Sequence, residues 1–300
     1  METLLLKGIP VRDAVFAELK EKVARAKLSK AKRAPGLAVV LVGDDPASAV
    51  YVSHKEKGCD EVGFHHVTHR LPADTPVENV LERIGELNAD AAIDGILVQL
   101  PLPKGMDQEK VLLAVDPNKD VDGFHPENLG RLTAGHPRFI PCTPKGILRL
   151  LQHYGIPMAG KNVAVVGRSV IVGRPLSMLL SLKREDGNAT VTMCHSGTLD
   201  LPAVTRAADV VVAAIGVPRF IGPDAVADGA VVVDVGINRI DAPERKSGTR
   251  LVGDVDMEGL KGHASALTPV PGGVGPMTIA MLLENTWEAM ARAEGLDDGD

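Results

Sequence analysis

Apolar positions along the chain fall into two alternating kinds of run. Short continuous runs bounded by Gly, Pro or Asp predict buried strands over Leu37–Val42 (LAVVLV), Phe64–Leu71, Ile93–Leu100, Asn162–Val166, Ala189–Cys194, Asp209–Ile215 and Ala230–Val235. Between them, apolar residues recur every three or four positions. That spacing predicts helices over Val11–Ala26, Pro46–Val62, Val77–Leu87, Lys145–Tyr154 and Thr278–Ala293. Asp44-Asp45-Pro46 supplies an acidic cap and then Pro at the first helical position. Continuous apolar strands separated by helices predict parallel sheets covered on both faces. The pattern pauses at Phe139–Pro144 and then restarts, which places a domain boundary there and makes the class α/β. The second half, with a Gly-rich turn after its first strand, reads as a doubly wound unit.

Composition narrows the function classes. The chain has 300 residues, 45% of them apolar and 24% charged, enough for a large core in one large or two ordinary domains. A net charge of −6 and 3% aromatics argue against a nucleic-acid surface. The basic run Lys27–Arg33 reads as a solvated helix end. Cys59, Cys142 and Cys194 are odd in number and widely spaced, which argues against a disulfide framework or a zinc knuckle. His65, His66 and His69 lie on one predicted strand, His66 facing away from the other two and with no acidic or thiol partner in view, so no metal is expected. The apolar run near Leu4 is too short for a leader, and no stretch approaches the ~20 apolar residues of a membrane span. A cytoplasmic location follows, and the acidic tail Glu294–Asp300 is expected to fray.

The turn Gly167–Pro175 (GRSVIVGRP) has the order strand, glycine, helix that a dinucleotide site requires. A glycine permits the tight turn, and the helix start behind it offers N–H groups to a pyrophosphate. The spacing is not GxGxxG, because Ser169 occupies the second position, and a plain strand–helix turn remains the alternative. The next strand ends in His195-Ser196, where an NAD site usually has an acid for the ribose hydroxyls. The nearest acid is Asp200. His, Ser and the neighbouring Arg168 or Arg174 favour a 2′-phosphate, and so NADP.

Ser48, Tyr51, Val52 and Lys55 fall at i, i+3, i+4 and i+7, on one helix face. A lysine there marks either a site or a boundary helix whose Lys reaches out to water. Gln99 ends the Ile93 strand, at the carboxyl edge where α/β sheets bind ligands, and it could hold the Lys55 amine. Asp120 and Asp122, in KDVDGFHP, offer carboxylates that match the paired N–H donors of an aminopyrimidinone edge, unless they only form the turn. Thr268–Thr278 (TPVPGGVGPMT) reads as a rigid loop allowing close approach of backbone to a ligand.

Taken together, GDDPAS (43–48) with Tyr51-Val52 and Lys55, DGILVQLPLP (94–103), KDVDGFHP (119–126), PCTPKG (141–146), VVGRSVIVGRP (165–175), TVTMCHSGT (190–198), DVGIN (234–238), GDVD (253–256) and TPVPGGVGPMT (268–278) resemble the bifunctional methylenetetrahydrofolate dehydrogenase/cyclohydrolase family over nearly the whole chain. The resemblance implies two α/β domains flanking a cleft, the second Rossmann-like. It puts a folate-binding domain at 1–140 plus 277–300, with the last helix returning to it, and an NADP domain at 141–276, with homodimers forming through the latter. It makes Tyr51 and Lys55 the active-site pair, with Gln99 on Lys55, Asp122 on the pterin ring and Ser48 lining the pocket. Pro269, Gly272 and Gly273 would border the folate. Gly167, Arg168 and Ser169 would take cofactor phosphates, His195 and Ser196 would lie near the 2′-phosphate, and Ile237 near the nicotinamide. The substrates would be tetrahydrofolate derivatives. The chain departs from the family at Ser53-His54, where Arg-Asn is usual, and in a longer loop at 183–188, expected beside the cofactor edge. The alternatives are a dehydrogenase without the hydrolytic step and a non-catalytic NADP-binding regulator. Lys55, Gln99 and Asp122, all present, speak against both.

Overall fold

The computed structural model describes residues 2–244 and 248–296. The chain divides into two compact units, Met1–Arg12 with Thr143–Thr278, and Asp13–Cys142 with Ile279–Asp300. The division falls within three helices, Gly8–Leu28, Cys142–His153 and Val274–Glu294. The acidic end of the chain, residues 297–300, lies outside the described residues. Just before it, Glu294 pairs with Arg33 and Leu296 is buried, so the expected fraying does not extend to them.

The second unit carries a three-stranded parallel sheet in the order His65–Leu71, Gly36–Val42, Gly95–Val98. The central strand is buried along its whole length, as its unbroken apolar run requires. One face packs Ala38, Val40, Val42, Ile96 and Val98 against Val80, Ile84 and Leu87 of the helix Val77–Ala89. That helix is apolar at three- and four-residue spacing, and each such side chain contributes roughly 1.5–3 kcal/mol on burial. The helix Pro46–Val62 forms as the capping residues dictate. Asp45 accepts a hydrogen bond from the Ser48 N–H, Pro46 follows, and Gly63 at φ 78° closes the far end. The short helices Gln108–Leu113 and Pro126–Thr133 are not evident from the apolar pattern, because neither is long enough to show a period.

Arg33 departs from the solvated-end expectation. Its guanidinium grips the Asp94 carboxylate with two bonds of 2.7 Å, and Asp94 also accepts from the Gly36 N–H. The side chains are 26% and 3% exposed, so removing Arg33 would strand a buried charge. Arg33→Ala should destabilise the protein by about 2–3 kcal/mol, below the full cost of breaking a buried pair because Arg33 is partly solvated. A urea midpoint unchanged from wild type would refute this.

The first unit carries a six-stranded parallel sheet in the order Leu4–Leu5, Ala266–Leu267, Val231–Asp234, Val210–Ala213, Asn162–Val166, Thr190–Cys194. From Asn162 onward this is the doubly wound order 2-1-3-4-5, whose switch point lies between the Asn162 and Val210 strands. The N-terminal Leu4–Leu5 run is its edge strand, and two residues are too few to predict as one. An antiparallel hairpin, Asn238–Asp241 with Thr249–Val252, is a further element that the apolar pattern does not show. Among the described residues no helix is long and apolar enough to cross a membrane.

Candidate active site

In the three-stranded unit the predicted face of the Pro46–Val62 helix is present. Val52 is fully buried, Ser48 is 2% exposed, and Tyr51 stands 42% exposed. Lys55 Nζ donates to Gln99 Oε1 at 2.9 Å, and Gln99 Nε2 donates to the Leu100 carbonyl at 2.7 Å. The second bond fixes the first, because only the NH₂ end can donate to a carbonyl, leaving the Gln99 oxygen aimed at the amine. Gln99 reaches this position because its own N–H pairs with Val40 O, extending the sheet by one residue.

Burial pushes the Lys55 amine below the usual lysine range, and the nearby Asp122 carboxylate partly restores it. Burial pushes Asp122 upward, opposed by Lys55 and by the neighbouring Cys142 thiol. Desolvation favours the neutral form of both. A neutral amide beside the amine matters here, since a carboxylate in place of Gln99 would hold the ammonium charged.

The two candidate aspartates separate. Asp120 is buried and accepts from the Phe124 and His125 N–H groups and from Asn128 Nδ2. It forms the turn, which leaves Asp122 facing Lys55. Cys142 and Asn285 belong to this site, and sequence reasoning missed them. The Cys142 thiol donates to Val121 O at 3.4 Å, and Asn285 Nδ2 spans Val121 O at 2.8 Å and Ile140 O at 3.0 Å, holding the loop that carries Asp122. The only sequence signal was Cys142 within PCTP. Among the described residues no cluster of metal-binding side chains occurs, and the three buried cysteines form no disulfide. His66 does have an acidic partner, Asp60 at 3.0 Å from the preceding helix, contrary to expectation.

In the six-stranded unit, Gly167 ends its strand at φ 131°, and a Cβ there would meet the Ala214 carbonyl. A Cβ at Gly173 would meet the Gly167 carbonyl. Both glycines therefore let backbones close up at the switch point, making a cradle that suits a pyrophosphate. Ser169 Oγ accepts from Val172 N at 3.1 Å, so its hydroxyl proton remains for a phosphate oxygen, and Arg168 and Arg174 are exposed beside it. His195 Nδ1 accepts from the Gly197 N–H at 3.0 Å, and Ser196 is exposed. Asp200 is committed to capping the helix Leu201–Arg206, where it accepts from Ala203 N. The loop 183–188 is closed by an Arg184–Asp186 ion pair and enters the Thr190–Cys194 strand at its amino end. The expectation that it borders the cofactor edge is corrected by this placement: His195 lies a whole strand away, roughly 13 Å at about 3.3 Å per residue.

Pro269, Gly272 and Gly273 also lie in this unit. Gly272 has φ 102°, its carbonyl accepts from Gly8 N, and a Cβ at Gly273 would crowd Pro269 O at 2.6 Å. Ile237 is 46% exposed.

Two family models match. Residues 6–122 match the tetrahydrofolate dehydrogenase/cyclohydrolase catalytic domain, and residues 141–294 match the NAD(P)-binding domain of the same family. The chain is 56% identical to a bifunctional protein FolD of Chlorobium phaeovibrioides, over 98% of this chain and 100% of the relative. It is 54% identical to that of Desulfovibrio desulfuricans, over 94% and 96%. The crystal structure of the bifunctional FolD methylenetetrahydrofolate dehydrogenase/cyclohydrolase of Campylobacter jejuni matches with TM-score 0.90 at 44% identity, covering 97% of this chain and 99% of that one. The Trypanosoma brucei enzyme, solved with NADP cofactor and inhibitor, matches with TM-score 0.92 at 37% identity, covering 98% and 99%. With the doubly wound cradle in one unit and the Lys55–Gln99–Asp122 set in the other, these matches leave a single conclusion: the chain belongs to the tetrahydrofolate dehydrogenase/cyclohydrolase family.

Proposed function

We propose that the chain oxidises 5,10-methylenetetrahydrofolate to the methenyl cation with NADP and then hydrolyses that cation to 10-formyltetrahydrofolate. The observation that carries this reading is the Lys55 amine, desolvated and held by a neutral amide next to a carboxylate. The three-stranded unit binds the folate. Asp122 accepts the two N–H donors of the pterin edge, Tyr51 covers the ring, and Ser48 lines the pocket. Pro269, Gly272 and Gly273 border the substrate. NADP, when bound, takes the hydride that leaves the methylene carbon.

The chain's own residues then deal with water. Hydration of the methenyl carbon releases a proton, and neutral Lys55 accepts it as general base. Gln99 keeps the amine oriented while leaving its lone pair free. Gly167, Arg168 and Ser169 hold the cofactor phosphates, His195 and Ser196 the 2′-phosphate, and Ile237 packs near the nicotinamide. The active species is a homodimer in the cytoplasm.

The absence of a free acid after the Thr190–Cys194 strand predicts a higher kcat/KM with NADP than with NAD. Steady-state kinetics with both cofactors tests this, and equal values or a preference for NAD would refute it.

A further inference from the structure

Two motifs, DVGIN and GDVD, contribute only Ile237 to the chemistry above, yet Asp234 and Asp254 within them are among the most buried polar groups of the described residues. Asp234 is 3% exposed and Asp254 not at all. Asp254 Oδ2 accepts from the Ile215 N–H at 2.7 Å and the Gly216 N–H at 2.9 Å. Its Oδ1 accepts from Asn238 Nδ2 at 2.8 Å. Asp234 accepts from the N–H groups of Gly236, Asp254 and Val255 at 3.0, 2.9 and 3.0 Å. Two carboxylates thus tie together the three loops 215–216, 235–238 and 253–255.

The position of these loops gives the network its meaning. Residues 214–216 leave the carboxyl end of the Val210–Ala213 strand at the switch point, where Ala214 N donates to Val166 O and the Ala214 carbonyl packs on Gly167. Residues 235–238 leave the carboxyl end of the Val231–Asp234 strand and carry the half-exposed Ile237. Ligands of doubly wound sheets lie along this edge. Past Ala214 and Val235, whose N–H groups still bond the neighbouring strands, both loops leave the parallel sheet, and a buried carboxylate that accepts from both fixes where they stand.

We propose that Asp254 is a positioning residue for the cofactor: through Asn238 and the Ile215–Gly216 backbone it fixes the two loops that flank the NADP site. The inference rests on the placement of NADP in the six-stranded unit. Asp254 itself touches no substrate; it acts by holding Ile237 and the 215–216 backbone in one arrangement.

The Asn238–Asp254 link can be reversed. Asn238→Asp sets two carboxylates face to face and breaks it. Adding Asp254→Asn restores it with the roles exchanged: the amide oxygen at position 254 keeps the two backbone N–H groups, and the amide nitrogen donates to the carboxylate at position 238. Calorimetry with NADP on the purified full chain reads the result. Wild type should bind. Asn238→Asp should bind NADP about tenfold more weakly or worse, as expected for a lost charge-assisted bond replaced by repulsion. The double variant should recover most of the affinity, which general damage to the fold would not allow. Undiminished binding by Asn238→Asp, or a double variant as weak as the single, would overturn the proposal. Failure of wild type to bind NADP would overturn the cofactor placement instead.

Discussion

Lys55→Met should lose at least about 10²-fold in cyclohydrolase rate, the usual span for removing a general base, while dehydrogenase activity remains measurable. Methionine preserves the stem volume in a half-buried position and removes only the amine. Oxidation of the methylene carbon asks mainly for placement, and placement survives. Hydration asks for a proton acceptor, and Gln99 is a poor one. The pH dependence of wild type should show the same group. Burial lowers the Lys55 pKa, so the neutral base appears below the ordinary lysine range. Cyclohydrolase rate should therefore climb with pH through that lowered value and level off above it, and this limb should vanish in Lys55→Met. A folded Lys55→Met protein that hydrolyses methenyltetrahydrofolate at the wild-type rate would sink the mechanism.

Asp122→Asn should weaken folate binding by roughly 10- to 100-fold, the equivalent of one charge-assisted bond of about 1.5–3 kcal/mol, and leave NADP binding nearly unchanged. An amide matches only one of the two N–H donors. A second consequence separates this role from a purely structural one. Asp122 holds the Lys55 pKa up by attraction. Without that charge the amine loses its proton at lower pH, so the rising limb of the cyclohydrolase profile should move downward. Calorimetry with the folate substrate and a pH series measure the two effects. Unchanged folate affinity with an unmoved limb would show that Asp122 neither anchors the ring nor tunes the base.

The parts of this molecule that are legible in the sequence are those set by local chemistry. The bounds of the helix Pro46–Val62 can be read because Asp45 and Pro46 start it and Gly63 ends it. Those of the strand Asn162–Val166 can be read because its apolar run is unbroken and buried. Lys55 and Gln99 are expected to meet, since a helix face and a strand end at a carboxyl edge converge in this architecture, and they do. What could not be read is set by distant partners. Asp120 and Asp122 are two residues apart and identical in type, and only the surrounding turn makes one structural and leaves the other facing Lys55. Leu4–Leu5 becomes a strand only because Ala266–Leu267 lies beside it. Asn285 reaches its partner Val121 across 164 residues, and Arg33 meets Asp94 across 61. No spacing rule links such positions.

The central claim, one chain with both activities, is tested most directly by a coupled assay on the purified protein. Methylenetetrahydrofolate and NADP are supplied, and NADPH and methenyltetrahydrofolate are followed separately. NADPH should form while methenyltetrahydrofolate stays well below the NADPH produced, the balance appearing as 10-formyltetrahydrofolate. NADPH formation matched one for one by methenyltetrahydrofolate, decaying no faster than in buffer, would contradict the claim, as would the absence of any NADPH.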